Sequence, residues 1–137
     1  MMDSVVDQAR YPEPSDSVRL FVSDDLICIQ PEATLHQVAR RLVAESVGAL
    51  VVTDDRRAAA IISERDVVRA VASGKDLDST TAGELGSHRV VRCTPDTSIQ
   101  SATQLMLDHS VRHPLVEDEN GLVGMVSARD LLGAYTT

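Results

Sequence analysis

The chain has 137 residues, 43% of them apolar, and a formal net charge of -8. That allows one domain or two very small ones, and it argues against non-specific binding to nucleic acid or an anionic membrane surface, which needs a cationic face. Only Tyr11, Phe21 and Tyr135 are aromatic, so the core must be built from Val, Leu, Ile, Ala and Met.

Residues 1–17 are polar, carry Pro12 and Pro14, and lack a basic stretch followed by a long apolar one. They read as a flexible tail, not a signal peptide. No apolar run approaches the ~20 residues of a membrane span. Cys28 and Cys93 form no C-x-x-C pair and fit small buried thiols in a reducing compartment. The expected location is the cytoplasm.

From residue 18 onward the pattern alternates strands and helices. "DLICIQP" has strand alternation and stops at proline. Leu35, Val38, Ala39 and Leu42 then share one helical face, and Thr34 with Gln37 reads as a capping box. "VGALVVTDD" and "AAAII" read as a hairpin. "SERD" opens a further helix that ends at Gly74. Residues 75–83 read as a linker. The same grammar returns: "HRVVRCTP" as a strand, a helix with Ile99, Ala102, Thr103 and Met106 on one face, and "VRHPLVEDENG" with "GLVGMV" as a hairpin. "SARD" opens the last helix. The order is β-α-β-β-α, twice.

A shift of 64 aligns the halves without a gap. Between 31 and 70 the identities are Pro31, Ser46, Val47, Val52, Asp54, Ser63, Arg65, Asp66 and Ala70, matched by Pro95, Ser110, Val111, Val116, Asp118, Ser127, Arg129, Asp130 and Ala134. Apolar positions are kept as well, as with Leu42 and Met106, so the duplication is real. A unit of ~60 residues is marginal alone. The expectation is one α/β (α+β) module in which two repeats, 18–74 and 84–137, pack pseudo-symmetrically through their sheets.

The repeated S-x-R-D has a plain reading as a helix cap, with Ser63 and Ser127 as N-caps and Asp66 and Asp130 at the third helical position. It also ends a strand at a helix N-terminus, where free N–H groups favour an anion such as phosphate. A small residue, Ala60 or Gly124, stands three before each serine and permits close approach. A carboxylate at this corner can accept both hydroxyls of a ribose.

Taken together, "PEATL" and "PDTSI", "VGALVVTDD" and "VRHPLVEDENGLVG", and "IISERD" and "MVSARD" resemble a tandem pair of cystathionine-β-synthase (CBS) domains over residues 18–135. The resemblance implies a stand-alone regulatory module, not an enzyme. It implies adenine nucleotides (AMP, ADP or ATP) as ligands in clefts between the repeats, no other cofactor, and a homodimer acting on an unidentified partner protein. Ser63 with Asp66, and Ser127 with Asp130, would take ribose and phosphate. Val91 and Ile27, from the opposite repeat, would hold the adenine. Arg112 and His113 would face phosphate in the cleft that uses Asp66, where the other cleft has Gly48 and Ala49.

Arg65 and Arg129 are possible phosphate contacts, or solvated first-turn arginines. His109 and His113 have the H-x-x-x-H spacing of a metal pair, but "SVRHP" should leave the helix before His113, and no third ligand is evident. No metal is expected. There is no G-x-S-x-G, phosphate loop or H-E-x-x-H, so no catalytic residues are assigned. The rival reading is a protein-interaction module whose clefts are degenerate.

Overall fold

The computed structural model describes residues 13–135. They form a mixed α+β structure with two three-stranded sheets, divided into two compact units. One unit holds residues 25–90 and 120–122; the other holds 13–24, 91–119 and 123–135.

In the first unit, β1 (Cys28–Ile29) runs parallel to β2 (Ala49–Asp54), which pairs antiparallel with β3 (Arg57–Ser63). Asp55 and Arg56 turn the hairpin with φ of 50° and 69°. Positive φ at both turn positions matches the twist of the flanking strands. α1 (Leu35–Glu45) starts at the expected capping box. The Thr34 hydroxyl accepts from the Gln37 N–H, and Gln37 Oε1 accepts from the Thr34 N–H at 2.9 Å. Leu35, Val38 and Leu42 turn inward and meet Leu50, Val52, Ala60 and Ile62 from the sheet. α2 (Glu64–Ala72) follows β3 directly, and Gly74 lies just beyond it at a φ of 77°.

Residues 75–83, expected as a linker, are folded onto this unit. Thr80 is buried and its carbonyl accepts from the Leu35 N–H at 2.9 Å. Thr81 caps a short helix, α3 (Ala82–Leu85), and Ala82 is fully buried in the core. His88 then lies with Nδ1 3.2 Å from the Ala59 carbonyl and Nε2 3.0 Å from that of Gly83.

In the second unit, β4 (Arg92–Cys93) runs parallel to β5 (Leu115–Asp118), and β6 (Gly121–Met125) completes the order β4-β5-β6. α4 (Ile99–His109) buries Ile99, Ala102 and Met106 against Val116, Val126 and Leu131. Thr103, expected on that face, is exposed, and its hydroxyl donates to the Ile99 carbonyl at 2.8 Å. α5 (Ala128–Tyr135) follows the second serine. Part of the expected tail is ordered here. Ile99 N–H donates to the Asp16 carbonyl at 2.8 Å, and Gln100 N–H to that of Pro14 at 3.0 Å. Ser17 caps a 3-10 turn, Val18–Phe21, whose Val18 is fully buried in this core.

The repeat therefore extends further than the 31–70 match. Thr81 bridges Thr34 and Ser87 bridges Ile61 in the first unit; Ser17 bridges Ser98 and Ser23 bridges Met125 in the second. These positions obey the same shift of 64. Each unit takes its capping turn and outermost strand bridge from the segment that precedes the other sequence repeat. The low similarity of "SVRLFVS" to "TAGELGS" hides this, although Ser17 and Thr81 carry the same N-cap signal.

Candidate functional site

Both S-x-R-D motifs lie at strand–helix corners, as their sequence reads. Ser63 ends β3 and caps α2. Its hydroxyl accepts from the Asp66 N–H at 3.2 Å, and Asp66 Oδ2 accepts from the Ser63 N–H at 2.8 Å and from its hydroxyl at 3.1 Å. Both cap bonds to the carboxylate use one oxygen. Among the described residues, Oδ1 of Asp66 accepts no hydrogen bond. At the second corner, Asp130 N–H donates to Ser127 Oγ at 3.0 Å. Asp66 is half-buried, whereas Asp130 is exposed.

The backbone around both corners repeats. Glu64 N–H donates to the Gly48 carbonyl at 2.9 Å, and its counterpart Ala128 N–H donates to the Arg112 carbonyl at 2.9 Å. Close approach of the chain is achieved differently in each. A Cβ on Gly124 would lie 2.3 Å from the Ser23 carbonyl oxygen and 2.8 Å from Val22. In the first unit Ala60 takes the place of Gly124, and Gly86 takes the place of Val22. A Cβ on Gly86 would meet Ala60 Cβ at 3.0 Å. One glycine serves each pairing, on opposite strands.

Of the other candidates, Ile27, Ser63, Arg65 and Asp66 belong to the first unit, and Val91, Arg112, His113, Ser127, Arg129 and Asp130 to the second. Ile27 packs partly buried against the first core, and its carbonyl accepts from Val51 N–H at 2.9 Å. The Val91 carbonyl accepts in the same way from Leu115 at 2.8 Å. Arg112, His113 and Arg129 are exposed and line one cavity of about 970 Å³, together with Leu107 and Ala128. Its counterpart in the first unit, about 520 Å³, has Val43, Gly48 and Glu64 on the positions of Leu107, Arg112 and Ala128. The side chain of Arg65 is exposed and makes no hydrogen bond or ion pair with described residues.

Sequence reasoning did not single out a buried carboxylate. Glu117 on β5 pairs with Arg92 on β4 at 3.0 Å, with the Glu117 side chain 6% exposed. Cys28 and Thr53 occupy the corresponding places in the first unit. The cysteines are strand residues, as expected. Burial pushes the Cys28 thiol up, with the Arg41 guanidinium pulling against it. Burial also raises Cys93, opposed by a hydrogen bond with Thr97. Among the described residues, no three His, Cys, Asp or Glu side chains form a metal cluster, and no helix is long and apolar enough to cross a membrane. His109 ends α4, and Ser110, in the left-handed region, separates it from exposed His113.

The CBS domain family model matches residues 18–73 and 82–137. An uncharacterized 17.7 kDa protein of Acidianus ambivalens is 36% identical over 108 residues, covering 77% of this chain and 65% of its own length. The chain spans 57% and 52% of two further relatives, from Methanopyrus kandleri and Arabidopsis thaliana. Among solved structures, the CBS domain protein of Pyrobaculum aerophilum complexed with AMP is 30% identical. It superposes with a TM-score of 0.70, covering 88% of this chain and 99% of that one. Hypoxic Response Protein I, solved with two coordinated zinc ions, is 30% identical with a TM-score of 0.75, covering 85% and 97%. Motif, fold and family model agree: this chain is a tandem pair of CBS domains and belongs to the CBS domain family.

Proposed function

We propose that the chain is a regulatory module that senses an adenine nucleotide at its two strand–helix corners. The observation that carries this reading is the Asp66 carboxylate. One oxygen is committed to the helix cap, and the other is left to accept ribose hydroxyls without breaking it. Arg112, His113 and Arg129 supply charge-assisted donors suited to phosphate. The AMP complex of the Pyrobaculum relative supports the ligand class. Ser127 and Asp130 repeat the corner in a more exposed setting, with Ile27 and Val91 as the groups for the base. The nucleotide acts by its differential affinity for two states of the module, and the response passes to a partner protein.

Thermal unfolding against AMP, ADP, ATP and S-adenosylmethionine tests this. A ligand at ~100 times its dissociation constant adds about 2.7 kcal/mol. A shift with an adenine nucleotide that is lost in Asp66→Asn supports the reading; no shift with any of them rejects it.

A second reading concerns assembly. Val43, Val68 and Val71 on α1 and α2 are 80%, 65% and 56% exposed, and Leu107 on α4 is 70% exposed. Apolar side chains clustered on helix faces are the signature of a contact surface. We propose a homodimer that covers these faces. Sedimentation of the wild type and of a Val43→Glu/Val68→Glu variant tests it. A dimer that the double substitution turns into a folded monomer supports it, and a wild-type monomer refutes it.

A further inference from the structure

We propose that the cleft between β1 and α1 is a separate binding site for a small organic oxyanion, a carboxylate or a phosphomonoester. The cleft has a volume of about 690 Å³, and Cys28, Gln37, Arg40 and Arg41 line it. None of the corner residues contributes to it. Its donors converge from one helix face, because positions 37, 40, 41 and 44 recur at helical spacing. Gln37 has its carbonyl oxygen committed to the Thr34 N–H, so its amide donors are left for the cleft. The Arg40 guanidinium makes no hydrogen bond or ion pair with described residues. Arg41 pairs with Glu45 at 3.3 Å and holds its charge near the Cys28 sulfur. Two adjacent guanidinium groups suit the planar, bidentate recognition of carboxylate and phosphate.

The duplication shows that this chemistry is not demanded by the fold. Gln104 and Leu105 occupy the places of Arg40 and Arg41 in the second repeat, and Asp108 that of Ala44. The same scaffold thus stands without the arginines. The cleft lining is net positive in a chain whose net charge is -8. Glu32, the one carboxylate in the lining, precedes the helix, whereas the arginines sit in its second turn. Ile29, Ala33 and Ala44 supply an apolar wall for the body of the ligand.

Cys28 provides the readout. Its alkylation by iodoacetamide would be followed by mass spectrometry, with buried Cys93 as the internal control, against titrations of succinate and inorganic phosphate at constant ionic strength. An anion at about ten times its dissociation constant should slow Cys28 roughly tenfold, as the free fraction falls. Arg40→Gln/Arg41→Gln should abolish the protection, and Arg40→Gln alone should weaken it. Both keep good helix formers at exposed positions. Protection by succinate alone assigns a carboxylate and by phosphate alone a phosphomonoester; either supports the site. Absence of saturable protection in the wild type, or equal protection in the folded double variant, overturns it. Neither result depends on nucleotide binding at Asp66.

Discussion

Ala60 and Gly86 form one tight backbone crossing, and Gly124 and Val22 form its counterpart with the glycine on the other strand. Each crossing has room for one side chain near the contact. Gly124→Ala would place a methyl against the Ser23 carbonyl, which is backbone and cannot rotate away. It should destabilise by about 1–3 kcal/mol. Gly86→Ala meets a methyl and the Ala82 carbonyl at 3.0 Å each, so its cost should be smaller. Adding Ala60→Gly should recover part of that cost, making the double variant less than additive. Urea unfolding measures all four; full additivity would contradict the pairing.

Ser63 and Asp66 separate two roles that the sequence superimposes. Ser63→Ala removes the N-cap and should cost about 0.5–2 kcal/mol. Asp66→Asn keeps one oxygen for the cap and loses the charged acceptor proposed for ribose. It should therefore cost less stability than Ser63→Ala, yet lose most of the nucleotide-dependent rise in melting temperature. Should Asp66→Asn melt like the wild type and respond equally to AMP, the carboxylate is a cap and nothing more.

Arg92 and Glu117 should show how burial decides the worth of an ion pair. Arg92→Ala leaves a carboxylate in the sheet interior, where losing a partner costs about 1–3 kcal/mol. Arg19 and Asp96 also pair, but their side chains are 60% and 85% exposed. Solvent screening limits such a pair to about 0–1 kcal/mol. Chemical denaturation of Arg92→Ala and Arg19→Ala should rank them in that order. A larger loss from Arg19→Ala would show that burial of Glu117 is not the deciding term.

The sequence is most legible where local chemistry and periodicity agree. Thr34 with Gln37, and Ser63 with Asp66, are read correctly because a capping box needs only residues three apart. Leu35, Val38 and Leu42 follow for the same reason. What escapes is non-local. Residues 13–24 and 75–88 carry too few apolar positions to announce a core, and their partners lie far along the chain. Ser17 and Thr81 look like loop residues until Ser98 and Thr34 are placed beside them. The Gly86 for Gly124 exchange is invisible as well, because it links two segments that a single-repeat alignment never compares. Glu117 reads as a turn residue beside Asp118 and Glu119, and only the neighbouring Arg92 strand reveals its burial.

Cys28 and Cys93 yield a pH prediction whose sign follows from burial. Desolvation is the larger cause at each thiol and raises both above the ordinary thiol range. The folded state therefore holds these protons when the unfolded chain has begun to lose them. Their contribution to stability is fully present below the unfolded thiol value and is lost as pH rises from there towards the folded value. Unfolding free energy should thus decline above about pH 8.5. Cys28→Ala/Cys93→Ala should flatten that decline while lowering stability at neutral pH, since both substitutions shorten packed side chains. Denaturant melts at pH 7, 8.5 and 10 would measure both effects. An equally steep alkaline loss without the cysteines would assign it to other groups.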